Sequence, residues 1–242
     1  MSVLASIQPL RVLCVIFLLV SMLGSCSLPQ RVTSVKPSPE NFPEARYLEL
    51  VSNPENQVYK IDSRSSKLLA QVYRGGVMAS LGHDHIVASQ NVIGYLALLS
   101  NGECYADFFV PLHSVVVDDL QLRRAAQLQT TPSPRDIEGT KANMHASLDS
   151  QNFPFVWLHS DSCNSALSEQ PTLVDITIHG VLQRYRLAIS VKPRGDQFFI
   201  SGHFSLLQTD FGIEPFSIFN GLLKVQDKVD IVYSLLVKRL ES

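Results

Sequence analysis

The sequence predicts an all-β domain built around an antiparallel sheet, and three observations support this. Apolar and polar residues alternate along about eight or nine segments, and β-branched and aromatic residues are enriched in them. Turn signals such as Asn101-Gly102 separate most of these segments. Alternation leaves one apolar face and one wet face, which is typical of antiparallel sheets. That many strands with short connections favours a sandwich or a closed barrel.

Five rows of apolar residues define the face that we expect to point inward. Their members occupy every second position of a segment, so they lie on the same side of a strand. A one-residue error in phase would turn a whole row outward. The rows are Phe108, Val110 and Leu112; Val156 and Leu158; Ile176 and Ile178; Phe204 and Leu206; and Ile231, Tyr233 and Leu235.

A short helical insertion interrupts the strands. Asp118 and Asp119 precede a run at residues 120–128 that is rich in Leu, Gln, Arg and Ala, and both acids can cap it. The sequence SPRD at residues 133–136 then offers an N-cap, a proline in the first turn and an acid at the third position. We therefore predict two consecutive helices that pack against the sheet or cover an opening.

The beginning of the chain has the three parts of a secretory signal. A positive charge at Arg11 precedes an apolar run at residues 12–22, and small residues follow in LGSC at residues 23–26. The run is shorter than the roughly 20 apolar residues that cross a bilayer as a helix. The LGSC ending resembles a bacterial lipobox, which implies removal of residues 1–25 and acylation of Cys26 with palmitate-type chains. Ser27 favours the outer membrane, facing the periplasm; an ordinary secretory signal with a chance cysteine is the alternative.

Residues 26–56 are predicted to form the acylated N-terminus and a flexible tether. Five prolines lie in this segment, and proline removes backbone donors and favours an extended chain. Residues 42–50 contain enough apolar side chains to pack on the domain as an arm instead. The domain itself is predicted to span residues 57–242.

Composition and motifs exclude several classes of function. Twenty Lys and Arg residues stand against 22 Asp and Glu residues, for a net charge of −2, and no basic stripe suits nucleic acid. The sequence lacks a nucleophile elbow, a phosphate loop and a dinucleotide fingerprint, so we predict that the protein is not an enzyme. Cys104 and Cys163 can form one disulfide in an oxidising compartment, or remain two buried thiols. The sequence does not fix the oligomeric state.

Six segments, in this order, resemble the YceI-like family of exported lipid-binding proteins. They are YKIDSRS (residues 59–65), LGHDH (81–85), VDD (117–119), IEGTKANM (137–144), DITIHGV (175–181) and TDFGI (209–213). The resemblance implies a lipocalin-like antiparallel β-barrel of about eight strands with a short helical insertion. It also implies a lumen that holds a long polyisoprenoid, with quinones or their precursors included in that class. The first segment departs from the family pattern because it lacks a His near Ser65.

The inward rows agree with that implication. A barrel of eight strands is wide enough to hold one small ligand, or to be filled by its own side chains. An aliphatic and aromatic lumen would bind an apolar tail by removing it from water, at about 25 cal/mol per Å². We therefore expect the twelve row residues to contact a lipid ligand, with no cofactor required.

His83, Asp84 and His85 are the most conspicuous polar cluster. We expect them at the barrel mouth, where they satisfy backbone groups or contact the polar head of a ligand. Both imidazoles can instead reach one metal ion, because residues at i and i+2 of an extended segment point to the same side. A metal-binding or catalytic protein is therefore one alternative function. A scaffold lipoprotein that binds a partner chain through Phe155 and Trp157 is the other.

Overall fold

The computed structural model describes residues 38–163 and 171–241, all within the unit Lys36–Ser242. The predicted signal peptide at residues 1–25, the acylation site Cys26 and the first part of the predicted tether lie outside the described residues. So do residues 164–170 and Ser242. No helix within the described ranges is both long enough and apolar enough to span a membrane.

Strands are the most abundant secondary structure of the described chain. The α-helices are α1 (Glu44–Leu50), α2 (Leu120–Ala125) and α3 (Pro134–Ser147). The first six strands are β1 (Gln57–Ile61), β2 (Lys67–Gly75), β3 (His85–Ser89), β4 (Ile93–Leu98), β5 (Cys104–Pro111) and β6 (Val116–Val117). The other seven are β7 (Phe155–Ser160), β8 (Thr172–Ile178), β9 (Val181–Leu187), β10 (Ile189–Arg194), β11 (Gln197–Leu207), β12 (Ser217–Ile218) and β13 (Leu223–Arg239). Short 3₁₀ turns occupy Ser63–Ser65, Ala79–Leu81, Leu112–Ser114 and Gln208–Phe211.

One antiparallel sheet contains all of the described strands. Its main path runs β6-β3-β2-β13-β1-β4-β5-β7-β8-β9. Strand β13 is 17 residues long. It pairs with β2 and β1 on one edge, and with β11 on the other. The prediction of an antiparallel all-β fold is confirmed.

The hydrogen-bonded ladder of the described strands does not close, in contrast to the closed barrel that we expected. Strand β9 pairs with β8 and β10 pairs with β11, and Ala188 alone separates β9 from β10 along the chain. Strands β9 and β10 follow each other along the chain, and each pairs with a different neighbour. No ladder of the described strands joins β9 to β10, so the sheet stays open at this point. The strand number also exceeds the predicted eight, because pieces as short as β6 and β12 count as strands.

The two predicted helices are present, and one of their predicted caps is wrong. Asp119 caps α2, because its side chain accepts hydrogen bonds from the backbone N–H groups of Gln121 and Leu122. Ser133 and Asp136 form a capping box at the start of α3. Asp118 does not cap a helix: its side chain is buried and bonds to other parts of the fold. Helix α2 also ends earlier than the predicted residue 128.

Helix α1 lies within the segment for which a flexible tether was predicted. Tyr47 is 1% exposed and stacks on Tyr95 of β4, with ring centroids 5.2 Å apart. Its hydroxyl donates to Asp107 Oδ2 at 2.7 Å. Residues 38–56 therefore include the packed arm that was the alternative to a loose spacer.

A disulfide joins Cys104 at the start of β5 to Cys163 shortly after β7. The Cα atoms are 5.4 Å apart, within the usual range for such a bond. Both residues are buried in the apolar interior. The bridge closes a loop that contains the insertion helices α2 and α3.

Candidate functional site

Within the part of the chain that the structure describes, the inner face of the sheet lines two apolar cavities. The larger one, here called the large chamber, has a volume of about 290 Å³. The smaller one, the small chamber, measures about 90 Å³. Leu68, Leu158 and Phe204 line both chambers, and we call these three residues the neck. The interior is therefore partly hollow.

All twelve predicted row residues line this space. Two of them, Leu158 and Phe204, belong to the neck. The others line the large chamber, at Val110, Leu112, Val156, Ile176, Ile178, Leu206 and Ile231, or the small chamber, at Phe108, Tyr233 and Leu235. Their contact with a ligand stays a prediction.

Strand register explains why the rows converge on one space. Leu158 of β7 lies opposite Phe108 of β5 on one side and opposite Ile176 of β8 on the other. Directly opposed residues of an antiparallel pair point to the same face of the sheet. Once the inward face of β7 is assigned correctly, the inward faces of β5 and β8 follow from it.

Tyr233 is the one tyrosine among the twelve row residues. Burial raises its pKa to about 12, so its hydroxyl stays neutral at any physiological pH. The Tyr233 ring also lies against Gly202 of β11, where a Cβ atom would stand 2.4 Å from the tyrosine oxygen. Gly202 thus leaves room for this side chain beside the small chamber.

Helix α3 supplies a mixed polar and apolar side to the large chamber. Thr140, Asn143 and Ser147 line it at helical spacings of three and four, together with Met144 and Leu148. Within residues 38–163 and 171–241, the side chains of Thr140, Asn143 and Ser147 make no hydrogen bond. These groups are therefore available to a polar part of a ligand. The sequence analysis proposed none of these five residues as ligand contacts.

His85 brings an oriented imidazole to the large chamber. Its Nδ1 lies 2.6 Å from Asp118 Oδ2, and Asp118 Oδ1 accepts a hydrogen bond from Ile86 N at 3.0 Å. Arg123 donates to the same carboxylate and also to the carbonyl oxygens of Asp84 and Thr130. A carboxylate in this position holds the histidine ring in one orientation.

The charge state of Asp118 follows from these contacts. Burial alone would raise the pKa of its carboxyl. The hydrogen bonds from His85, Ile86 and Arg123 outweigh burial and hold that pKa below its usual value. Asp118 is thus a carboxylate, which accepts hydrogen bonds and donates none. The sequence analysis interpreted Asp118 as a helix cap. Two adjacent acids precede a single helix start, and only one of them can be its N-cap, so the sequence did contain a sign that the other has a different role.

The other two members of the predicted mouth cluster lie apart from the chamber lining. Asp84 accepts a hydrogen bond from the backbone N–H of Arg74 at 2.9 Å and pairs with the Arg74 side chain. The ring of His83 lies 6.3 Å from that of His85, centroid to centroid. Of the three, only His85 lines the large chamber. Among the described residues, no group of three or more His, Cys, Asp or Glu side chains is placed to hold a metal ion.

Phe155 and Trp157 lie on the outer face, where the scaffold hypothesis placed them. Trp157 Nε1 donates to Asp107 at 3.3 Å, and His159 Nδ1 lies 2.9 Å from the same carboxylate. Phe42 of the arm packs within 6.3 Å of the Trp157 ring, and Phe155 packs edge-on against Phe109. Both aromatic side chains are half-buried. The arm thus covers part of the surface that a partner chain would need.

Comparison with known proteins identifies the fold. No protein-family model and no curated protein matches the chain. A polyisoprenoid-binding domain from Saccharophagus degradans, implicated in plant cell wall breakdown, superposes with a TM-score of 0.53 at 13% identity; the match covers 75% of this chain and 98% of that one. BcnA from Burkholderia cenocepacia also gives 0.53 at 13% identity, with 73% and 98% covered. The chain therefore shares the lipocalin-like antiparallel fold of these two proteins, as the motif resemblance implied.

Proposed function

We propose that the protein binds a long-chain isoprenoid, or a similar amphiphile, with its apolar tail inside the sheet. One observation carries the proposal: the inward rows converge on an interior that is hollow and lined mainly by aliphatic and aromatic side chains. Atoms that face a void lose dispersion contacts, so an apolar tail that filled the chambers would restore them. The name of the Saccharophagus degradans domain, which shares the fold, supports this ligand class.

The chamber volumes limit how much of a tail fits inside. The large chamber, at about 290 Å³, is near the lower end of the usual range for ligand pockets. It is roughly twice the 150 Å³ that accommodates one benzene molecule, so it holds on the order of a dozen carbon atoms. A longer tail must pass the neck into the small chamber or extend out of the sheet.

The proposed role is binding rather than catalysis, and the proposed place is the cell envelope. Acylation at Cys26 would add two or more chains, each with roughly 0.8 kcal/mol of membrane affinity per buried CH₂. We propose that the protein is anchored in this way at the outer membrane and faces the periplasm. The lipobox-like sequence supports the anchor, and Ser27 supports the choice of membrane. A chain in which residues 1–26 are replaced by an ordinary cleavable secretory signal should leave the membrane fraction; retention there would contradict the anchor.

The binding proposal is tested by identifying what co-purifies. Protein purified without detergent exchange is extracted with organic solvent, and the extract is analysed by mass spectrometry. We expect a prenyl lipid in stoichiometric amount. An extract without any long-chain amphiphile, from protein that also fails to bind added prenyl lipids, would contradict the proposal.

A cavity-filling variant makes the test specific to the large chamber. Ala70 of β2 lines that chamber, so Ala70→Trp places an indole in the space proposed for the tail. We expect this variant to fold and to lose the extracted lipid. Ala142→Trp, on the exposed side of α3, is the matched control and should retain it.

A further inference from the structure

We propose that His85 contacts the head group of the ligand, and that this head group carries a hydroxyl that donates a hydrogen bond to Nε2 of His85. The ligand class is therefore a long-chain alcohol or phenol rather than an ether or a hydrocarbon. This inference rests on the proposed binding function and adds the chemistry of the head group to it.

The first step concerns the orientation of the ring. Asp118 is 1% exposed, and the backbone N–H of Ile86 and the side chain of Arg123 hold its carboxylate in place. His85 Nδ1 lies 2.6 Å from this carboxylate. Because a carboxylate only accepts, Nδ1 must carry the proton that it donates.

The second step concerns the nitrogen that remains. In a neutral imidazole with the proton on Nδ1, Nε2 has a lone pair and is a hydrogen-bond acceptor. His85 lines the large chamber whereas Asp118 does not, so the edge of the ring turned away from Asp118 is the edge left for a ligand. Within the described residues, Nε2 makes no hydrogen bond. An acceptor left without a partner once a ligand displaces water is unfavourable, and a hydroxyl on the ligand removes that cost.

The third step is the polar side of α3. Thr140, Asn143 and Ser147 line the same chamber as His85. A hydroxyl donates one hydrogen bond and accepts others, so its oxygen can also accept from the amide of Asn143. The rest of the lining is mainly apolar, which leaves the tail without polar contacts. The lining of the chamber thus includes an acceptor at His85, several donors on α3, and mainly hydrocarbon elsewhere.

The test compares two ligands that differ only in the donated proton. Geranylgeraniol and its methyl ether have the same tail, and each is titrated against a fluorescent apolar probe bound to the purified full-length protein. We expect the wild-type protein to bind the alcohol about tenfold more tightly than the ether. His85→Phe should remove this preference while the affinity for the ether stays within about twofold. His203→Phe, on the exposed face of β11, is the matched control and should retain the preference.

A measurement on the wild-type protein covers the case in which His85→Phe fails to fold. The imidazole ¹⁵N resonances report hydrogen bonding at each ring nitrogen. Geranylgeraniol should shift the Nε2 resonance of His85, and the methyl ether should not. Equal affinity of the wild-type protein for alcohol and ether, or an unchanged Nε2 resonance with bound alcohol, would overturn the inference and leave tail binding intact. Failure of both ligands to bind would instead overturn the proposed function itself.

Discussion

Truncation of the neck residue Leu158 should change the selectivity of the protein for tail length. Leu158 lines both chambers and lies between Phe108 and Ile176 on the neighbouring strands. Leu158→Ala removes its side chain beyond Cβ and should join the two chambers. A buried Leu→Ala substitution costs about 2–5 kcal/mol. We expect a loss of about 2 kcal/mol in the free energy of unfolding, because the side chain already borders open space on two sides.

The gain for a longer tail follows from the small chamber. Its volume of about 90 Å³ accommodates a few carbon atoms, close to one isoprene unit. Burying five carbons contributes about 4 kcal/mol by transfer from water. Ordering the added unit offsets part of this, so about 2 kcal/mol remains, or roughly thirtyfold in the dissociation constant. In the wild-type protein, the neck should keep the tail out of the small chamber, so most of this gain in affinity should be absent.

The assay is a displacement titration with prenyl alcohols that lengthen by one isoprene unit at a time. Affinity for the wild-type protein should level off once the large chamber is full, and in Leu158→Ala it should rise through one further unit. Leu182 of β9 is 57% exposed, so Leu182→Ala is the matched control and should follow the wild-type curve. Identical curves for all three proteins would show that the chambers do not form one path, and the reasoning from the neck would fail.

Three further predictions concern stability. Replacing Cys104 and Cys163 by Ala should lower the free energy of unfolding by about 4 kcal/mol, because the bridge closes a loop with a sequence separation of 59; an unchanged melting temperature would contradict this. Tyr47→Phe removes a buried donor to Asp107 and should cost about 1–3 kcal/mol in chemical denaturation, whereas no loss would show that the arm is not held by that bond. Hydrogen bonds from Ser205, Lys228 and Tyr73 lower the pKa of Asp230 from 3.8 to about 2. The stability that this carboxylate adds is therefore present above pH 4 and lost as the pH falls towards 2; Asp230→Asn should flatten that part of the stability profile, and an identical acid profile would contradict the assignment.

The lining of the chambers could be predicted from sequence because its cause is local. Side chains alternate along a strand, so a row such as Ile231, Tyr233 and Leu235 reveals its common face without knowledge of its neighbours. Helix starts are equally local, and the capping box at Ser133 is visible within four residues. Hence the inner surface and the insertion helices followed from short patterns.

Other features depend on residues that are distant in sequence, and these could not be predicted from short patterns. Leu187, Ile189 and Val191 alternate as if they belonged to one strand, yet the chain changes partners at Ala188, from β8 to β11. Only the tertiary arrangement decides where such a change occurs, so the open ladder could not be predicted. The role of Asp118 likewise depends on His85, 33 residues away along the chain.

A sheet with a hollow interior must be held in shape by contacts other than packing across that interior. Dispersion across an empty chamber is weak, so packing between opposite walls cannot do this alone. The structure supplies other restraints: β13 pairs along both of its edges, the disulfide ties β5 to the chain after β7, and the arm binds Asp107 on the outer face. Tyr47→Phe in the arm should lower stability and leave ligand selectivity unchanged, because neither Tyr47 nor its partner Asp107 lines a chamber. Substitutions at the neck and at His85 should alter ligand selectivity while the protein remains folded. The chamber walls at these positions keep their shape without a filled interior, so a change in the lining there need not unfold the sheet.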